Sequence, residues 1–449
     1  MLKNSNIDKF IRHHNVFRLV IAYIFVFALG TVLLKLPIVF NEGYEETWLD
    51  AFFMAASSLS GTGLATFDYI NGYNYLGWII MIVFVNIGSV GIIVFNTAIL
   101  LLIGTKLNIR RLNQIQLDFN QQGVLNVKDI IINVVKYFLI IELVGTILLF
   151  LRMGDIFIDP VDRFMNALLL ASSCIGASGF YDATIISGDA IAICICNVLM
   201  VYSFIGHPVV LELRNYLHAK KEGKRYRFST FCRISLCVNI ITVLLFVIAF
   251  LLLEGNNTMA GYSPIDKFNA AFFMSFSTKS VGLTLFPSMA LMLPLTLFIQ
   301  TFFMLVGAAP SSCGGGIKTN AIYLFFAYVK NLFKGDDEVI INNRKIASRT
   351  IKLSLVLILM FLGISLMATI VISFLNPSID ILSIWYEVVS GFTTSGFSVG
   401  VLNQIDEASQ AIIALLMIIG RIGILNIIFF LNHNNNKKRV HYPDTNIAI

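Results

Sequence analysis

Eight apolar runs, each long enough to cross a bilayer, alternate with short polar connections along the chain. A crossing helix needs about 20 residues, because the hydrocarbon core is about 30 Å thick and a helix rises about 1.5 Å per residue. The pattern predicts spans at 16–36, 76–103, 130–151, 190–213, 232–253, 289–333, 351–375 and 408–431. The alternation therefore predicts an all-α polytopic membrane protein.

The run over 289–333 is too long for a single crossing, and a polar, glycine-dense stretch at 307–319 interrupts it. Pro310 lacks a backbone donor, and Gly314, Gly315 and Gly316 favour irregular backbone. At membrane depth, such backbone persists only where protein or a water-filled cavity satisfies it, so the break points to a transport pathway. A phosphate-binding loop is the alternative, but Ile317 stands where that motif requires glycine before the lysine.

Composition supports the membrane assignment, with 57% hydrophobic and 13% charged residues and a mean hydropathy of +0.81. These values leave no room for a sizeable soluble domain. The N-terminal residues are polar and lack a signal-peptide cleavage pattern, so we expect the first span to be retained. Six cysteines lie in or beside apolar runs without zinc-type spacing, and we expect them to be packing residues.

Charge predicts the orientation. The even span count puts both termini on one side, and most of the 32 Lys and Arg residues lie on that side. The positive-inside rule makes it the cytoplasm. The loops on the other side are acidic; they contain Glu42, Glu45, Glu46, Asp50 and Asp68. Two readings of these acids stay open, a solvated rim and a weak attraction for cations.

One short pattern recurs four times, always in the connection between an odd-numbered span and the next. A serine is followed by a polar stretch that ends in glycine and then Leu or Phe. The four serines are Ser57, Ser173, Ser277 and Ser390, and the third copy is one residue shorter.

Each copy follows an apolar segment of 10 to 15 residues, which is too short to span and suits a re-entrant half-helix. Glycine would let the following backbone turn its carbonyls inward, and four copies around one axis would give rings of carbonyl oxygens. Such rings replace the hydration shell of a monovalent cation. The predicted architecture is four fused repeats of span, pore half-helix and span, forming a pseudo-tetrameric cation pore. The repeats cover 1–110, 111–218, 219–335 with the broken helix, and 336–449 with a cytoplasmic tail.

These motifs resemble the Trk/Ktr/HKT superfamily of potassium transporters, most closely the bacterial Ktr membrane subunits, over nearly the whole chain. The resemblance implies K⁺ uptake through a gated pore whose filter is built of backbone carbonyls. The implied filter residues are Gly61, Thr62, Gly63, Ala177, Ser178, Gly179, Ser280, Val281, Gly282, Thr394, Ser395 and Gly396. The implied gate comprises Gly307, Pro310, Gly314, Gly315, Gly316, Lys318 and, from the Gly420-Arg421-Ile422-Gly423 string, Arg421. Lys279 occupies a basic position typical of the third repeat.

Some features depart from the family pattern. The second repeat carries an unusual His207 and a divergent filter string, and family members with altered filters pass Na⁺ more readily. A sodium dependence, a less selective K⁺/Na⁺ transporter and a coupled secondary cation transporter stay open as alternatives. We expect His207 to be a packing residue and Glu142 to be either a helix–helix hydrogen-bonding residue or a functional acid.

We do not expect an enzyme, because the sequence contains no Ser/His/Asp set, HExxH motif or paired intramembrane carboxylates. The basic inner face, which includes Lys220, Lys221, Lys224, Arg225 and Arg227, suits anionic lipid headgroups. The resemblance further implies a homodimer on a cytosolic ring of nucleotide-binding regulatory subunits in the cytoplasmic membrane. No nucleic-acid partner is expected.

Overall fold

The computed structural model describes residues 15–91, 127–336, 338–341 and 344–424. The predicted repeats one and two each contain a first helix, a short helix and a second helix. Repeat one contains α1 (Asn15–Leu34), α2 (Trp48–Ser60), the single turn α3 (Tyr69–Gly72) and α4 (Tyr75–Val90). Repeat two contains α5 (Val127–Arg152), α6 (Pro160–Gly176), α7 (Ala190–Ile205) and α8 (His207–Lys221).

Repeats three and four follow the same order. Repeat three contains α9 (Thr230–Glu254), α10 (Pro264–Thr278), α11 (Pro294–Leu305) and α12 (Thr319–Lys334). A small antiparallel hairpin, β1 (Ile340–Ile341) with β2 (Arg344–Lys345), leads to repeat four. That repeat contains α13 (Ser348–Leu375), α14 (Ile381–Phe392) and α15 (Glu407–Ile422).

The short helices α2, α6, α10 and α14 all begin at a residue whose side chain accepts backbone N–H bonds. These N-caps are Thr47, Asp159, Ser263 and Asp380. Such caps satisfy donors that the first helical turn leaves free. Each short helix is buried at its C-terminal end, which agrees with the predicted helices too short to span.

The second helix of each repeat packs against the short helix of the next repeat. The pairs are α4 with α6, α7 with α10, α11 with α14 and, closing the cycle, α15 with α2. One continuous core of buried apolar residues extends through all four repeats. A smaller cluster lies beneath the hairpin and joins Leu324, Val339, Ile341 and Ile351.

A polar tie in each repeat joins the end of the first helix, or the turn after it, to the start of the second helix. In repeat three, the Glu254 carboxylate accepts bonds from the Leu293 N–H and the Thr296 hydroxyl. The corresponding ties are Asn74 to the Ile38 carbonyl, Arg152 to Asp189, and Asn376 to Asp406. The Glu254 bond satisfies a donor at the start of α11, Arg152 and Asp189 pair opposite charges, and Asn74 and Asn376 each donate a side-chain amide N–H across the gap between the two helices.

The second helices stop part-way along their predicted spans. In repeats one, two and four the stop is a glycine with positive φ, at Gly91 (90°), Gly206 (93°) and Gly423 (86°). The prediction of one continuous span at 190–213 was wrong, because α7 and α8 meet at Gly206 with a bend of 104°. The run has the length of one crossing, so length alone gave no reason to expect the bend.

The third repeat contains the predicted break, with α11 ending at Leu305 and α12 starting at Thr319. Helix α11 starts at Pro294, later than the predicted 289, because a short 3₁₀ turn (Met289–Leu291) precedes it. Three described helices are long and apolar enough to cross a bilayer alone, and α7 with α8 makes a fourth if the bent pair counts as one. The breaks shorten the remaining second helices to 12 or 16 residues.

Glycines allow the second helices of repeats one and four to press against the short helices. A Cβ added at Gly420 would lie well within 3.0 Å of the Phe392 carbonyl oxygen, and one at Gly88 would meet the Leu59 carbonyl in the same way. We therefore expect Gly420→Ala and Gly88→Ala each to destabilise the protein by about 1–3 kcal/mol through overpacking. A lowered Tm in detergent would be the measured result.

Gly363→Ala is the matched control, because Gly363 lies in α13 and an added Cβ there meets nothing within 4 Å. Its Tm should stay unchanged or rise, since alanine favours a helix by about 1 kcal/mol over glycine. Equal Tm values for all three variants would contradict the close packing described above.

Candidate functional site

Four backbone segments, 61–63, 177–179, 280–282 and 394–396, share an unusual conformation; we call them the glycine segments. In each, φ is positive at the first and third residues. The first residues are Gly61 (67°), Ala177 (54°), Ser280 (83°) and Thr394 (54°), and the third are Gly63 (93°), Gly179 (65°), Gly282 (79°) and Gly396 (85°). Positive φ is costly for residues with side chains, so its recurrence in all four repeats marks a specifically held backbone.

The glycine segments approach one another as a closed cycle. A Cβ added to Gly63, Gly179, Gly282 or Gly396 would lie well within 3.0 Å of a carbonyl oxygen in the next repeat. The oxygens met belong, in that order, to Ser178, Val281, Ser395 and Thr62. The fourth repeat thus returns to the first, and the cycle leaves no room for a side chain at these positions.

The repeated serine holds each glycine segment through its backbone. In every copy, its carbonyl accepts a bond from the N–H of the residue before the third-position glycine. The bonds run from Thr62 to Ser57 (2.9 Å), Ser178 to Ser173 (3.1 Å), Val281 to Ser277 (2.8 Å) and Ser395 to Ser390 (2.8 Å). The same bond therefore forms in the third copy despite its missing residue.

The 307–319 loop lies directly against the glycine segments of repeats three and four. A Cβ added at Gly314 would meet Ser280 Cβ at 2.9 Å, and one at Gly315 would meet the Thr393 carbonyl at 2.7 Å. The Gly315 N–H also donates to Ser280 Oγ at 2.9 Å. The three predicted gate glycines at 314–316 are buried, and a Cβ added at any of them would press against neighbouring atoms.

Three cationic side chains donate to carbonyls in or beside the loop. Lys279 Nζ lies 2.9 Å from the Val306 oxygen, and Lys318 Nζ lies 2.6 Å from the Gly314 oxygen. Arg421 bonds both the Cys313 carbonyl in the loop and the Gly88 carbonyl in repeat one. The expected contact between Arg421 and the loop is present, and guanidinium geometry lets it join two carbonyls at once.

The loop also docks on the bend of repeat two, a contact that the sequence did not predict. The Ala309 N–H donates to the Phe204 carbonyl (3.0 Å) and the Cys313 N–H to the Ser203 carbonyl (3.0 Å). The His207 N–H donates in turn to the Ser311 carbonyl (3.1 Å). The sequence feature that marks this bend is the Gly206-His207-Pro208 string, where α7 ends and α8 begins.

His207 is buried, as expected of a packing residue, and its ring lies 5.9 Å from that of Tyr202. Its Nε2 has no hydrogen-bond partner in the described part of the chain. Glu142 bonds Asn86 of α4 (3.0 Å) and Ser172 of α6, so it makes the helix–helix hydrogen bonds that were one of its two expected roles. All six cysteines are free, and Cys194 and Cys237 are exposed and so are not packing residues within this chain.

The acidic connection before α2 is not wholly a solvated rim. Glu46 is buried; the Tyr73 hydroxyl donates to its carboxylate at 2.8 Å. Burial raises the pKa of Glu46 to about 7, so this group carries less charge at neutral pH than an exposed carboxylate. Asp50 accepts bonds from the Thr66 hydroxyl and from the N–H of Thr47, the N-cap of α2, while Glu42 and Glu45 are exposed.

No group of three or more His, Cys, Asp or Glu residues that could hold a metal ion occurs within residues 15–91, 127–336, 338–341 and 344–424. The oxygens that lie against the third-position glycines of neighbouring repeats are backbone carbonyls of the glycine segments.

Comparison with known proteins identifies relatives over almost the full length. The family model described as TrkH, cation transport protein, matches residues 2–439. The chain is 29% identical over 435 residues to Ktr system potassium uptake protein D of Bacillus subtilis, covering 95% of each protein. It is 26% identical over 457 residues to Ktr system potassium uptake protein B of the same organism, covering 99% of this chain and 98% of the relative.

The fold is shared with a solved structure. The potassium transporter TrkH from Vibrio parahaemolyticus matches with a TM-score of 0.70 at 18% identity, over 94% of this chain and 86% of the other. Apolar helices around converging glycine backbones define a helical membrane protein. The chain belongs to the TrkH family of cation transport proteins, which is a family of transporters.

The Arg421 contacts predict how the loop responds to their loss. Arg421→Ala removes the arginine donor from both carbonyls. The Gly88 oxygen keeps a bond from the Gly91 N–H, whereas the Cys313 oxygen loses its bond to α15, and a buried group left unpaired costs about 1–3 kcal/mol. We expect the loop to loosen and the buried Cys313 thiol to react faster with a membrane-permeant maleimide, as measured by peptide mass spectrometry.

Labelling of Cys174, which is buried in α6, is the internal control and should not change. Arg421→Lys keeps the positive charge but not the planar fork that reaches two carbonyls, and it should give an intermediate rate at Cys313. Equal Cys313 labelling in wild type and in folded Arg421→Ala protein would show that Arg421 does not restrain the loop.

Proposed function

We propose that this chain takes up K⁺ across the cytoplasmic membrane through a gated pore formed by four pseudo-symmetric repeats. The observation that carries the proposal is the closed cycle of glycine segments, in which each third-position glycine faces a carbonyl of the next repeat. Family membership and the names of the potassium uptake relatives support K⁺ as the cargo. The four repeats are assigned to 1–110, 111–218, 219–335 and 336–449.

In this proposal, the glycine segments are the selectivity filter. Alternation of positive and negative φ lets successive carbonyls face one side of a strand, and rings of such oxygens replace the water around a monovalent cation. The short helices end at the segments, so the partial negative charge of their C-terminal carbonyls favours a cation at the centre. Selectivity then comes from the geometry of the backbone.

The 307–319 loop is the proposed gate. It contacts the glycine segments of two repeats through Gly314 and Gly315. Lys318 bonds Gly314 within the loop, and Arg421 of α15 bonds Cys313. Backbone lying so close to the filter would obstruct an ion leaving it. Opening requires the loop to move away from Ser280 and Thr394.

We further propose a homodimer that works with a cytosolic ring of nucleotide-binding subunits, and both termini in the cytoplasm. The helix α8 leaves the bend beside the loop and ends in His218, Lys220 and Lys221. Its basic end suits anionic lipid headgroups or an acidic partner surface. Sodium-dependent uptake and a less selective K⁺/Na⁺ transporter are the two alternatives that the uptake assay below distinguishes.

Growth rescue tests the cargo directly. Expression in a bacterium that lacks its own K⁺ uptake systems should restore growth at low external K⁺. Repeating the growth assay with and without Na⁺ shows whether K⁺ uptake depends on sodium. Measuring Na⁺ influx in the same cells identifies a weakly selective transporter. Failure to restore growth, with protein shown to be in the membrane, would contradict K⁺ uptake by this chain alone.

Gly282→Ser tests the filter. An added Cβ would lie 2.5 Å from the Ser395 oxygen, and φ at this position is 79°. We expect a weaker apparent affinity for K⁺ and a lower K⁺ over Na⁺ preference, measured as initial rates of ion uptake. Corresponding effects should follow at Gly63, Gly179 and Gly396.

Gly188→Ser is the matched control, because nothing lies within 4 Å of a Cβ added there. Its uptake kinetics should equal those of wild type. The filter assignment fails if all four filter substitutions retain wild-type kinetics and ion preference.

Deletion of residues 311–316 tests the gate. The deletion removes the proposed obstruction and keeps all four glycine segments, so uptake should rise and depend less on a cytosolic regulator. Gly315→Ala should lower uptake instead, because its Cβ would press against the Thr394 side chain and the Thr393 carbonyl. Regulated flux that stays unchanged in folded, membrane-inserted deletion protein would show that the gate lies elsewhere.

A further inference from the structure

The fourth short helix carries a buried carboxyl group where the other three carry apolar side chains. The position is three residues before the repeated serine, and it is occupied by Met54, Leu170, Met274 and Glu387. All four side chains are buried, with Glu387 only 2% exposed. A carboxylate is costly to bury, so its presence at this place needs a compensating interaction.

The interaction is with the chain that follows the fourth glycine segment. Glu387 Oε1 accepts bonds from Ser398 Oγ (2.6 Å) and from the Val399 N–H (2.9 Å). Ser398 Oγ itself accepts a bond from the Gly400 N–H at 2.9 Å. Glu387 therefore holds residues 398–400, just after the fourth glycine segment, against α14.

The other repeats are held differently, through the hydroxyl of the repeated serine. In those repeats the hydroxyl bonds the backbone at or just after the third-position glycine. The pairs are Ser57 with the Gly63 N–H (3.0 Å), Ser173 with the Phe180 carbonyl (3.0 Å) and Ser277 with the Leu283 carbonyl (2.6 Å). The Ser390 hydroxyl of repeat four is buried and has no partner within the described ranges.

We propose that Glu387 is the positioning residue of the fourth filter strand and a determinant of ion selectivity. It replaces the anchor that the serine hydroxyl supplies in the other three repeats. The inference rests on the proposed function of the glycine segments as a filter. Since the Gly282 and Gly396 backbones are in contact, a shift of the fourth strand would change carbonyl spacing in the third as well.

Both bonds end on one carboxylate oxygen of Glu387, so a substitution can remove the charge and still keep the two bonds. Glu387→Gln can present its amide oxygen to Ser398 and Val399 and so keep both bonds without the negative charge. Glu387→Met places in repeat four the side chain found at this position in repeats one and three and removes both bonds. We expect Glu387→Met to lower the K⁺ over Na⁺ preference on the order of tenfold, as the loss of two hydrogen bonds predicts.

The measurement is initial K⁺ and Na⁺ uptake over a range of concentrations, which gives KM and Vmax for each ion. Glu387→Met should raise KM for K⁺ and lower that for Na⁺, while Glu387→Gln should stay within about twofold of wild type because both bonds are kept. Ser398→Ala removes one bond and should shift the preference about threefold, and it provides the test if Glu387→Met does not reach the membrane.

Glu254→Met is the control for loss of a buried carboxylate. Glu254 is fully buried and bonds Thr296 and Leu293 at the start of α11 rather than the filter. Its replacement should lower Tm without changing ion preference. A lower Tm with unchanged ion preference in Glu387→Met or in Ser398→Ala would overturn the positioning role of Glu387.

Gly282→Ser, measured in the same assay, separates the two proposals. If it changes the preference and Glu387→Met and Ser398→Ala do not, the positioning role of Glu387 is overturned and the filter assignment stands. If none of the glycine or Glu387 variants changes the preference, the filter assignment itself fails and the inference fails with it. A Glu387→Gln variant as impaired as Glu387→Met would overturn the hydrogen-bonding basis.

Discussion

The close approach of four backbones, with no side chain between them, is the constraint on which the rest of the structure depends. Carbonyl oxygens of one repeat occupy the space that a Cβ would need in the repeat before it. Buried backbone polar groups require partners, and the repeated serines supply a carbonyl acceptor for each segment. The short helices that present these serines are fixed at their starts by caps and on their flanks by the second helix of the preceding repeat.

Local chemistry made a large part of this arrangement predictable. The serine-to-glycine pattern predicted four short helices followed by turns, because each copy contains its own helix stop and its own glycine. The break at 307–319 was also predictable, since Pro310 and three glycines interrupt a run too long for one crossing. In both cases, the residues that determine the backbone lie within about a dozen positions of one another.

Contacts between repeats were not predictable in the same way. Arg421 bonds Gly88 across 333 positions, and nothing near either residue identifies the other. The bend at Gly206 escaped prediction because the run of 190–213 has the length of one crossing, so the hydrophobic pattern was satisfied without a bend. The role of Glu387 also depended on the structure, because its partners lie in the segment beyond the glycine rather than in its own helix.

The loop makes the fourfold plan asymmetric, and its bonding determines what its movement requires. Ser203, Phe204, Ser280, Lys318 and Arg421 all bond backbone groups of the loop. Each such bond contributes only about 0.5–1.5 kcal/mol when water can replace it, but a buried group left without any partner costs about 1–3 kcal/mol. Displacement of the loop into a dry interior would therefore be opposed by several unpaired groups together. Displacement into a hydrated pore would not, because water can bond both the freed carbonyls and the cationic side chains. Loop movement and entry of water beneath the glycine segments are consequently expected to occur as one coupled step.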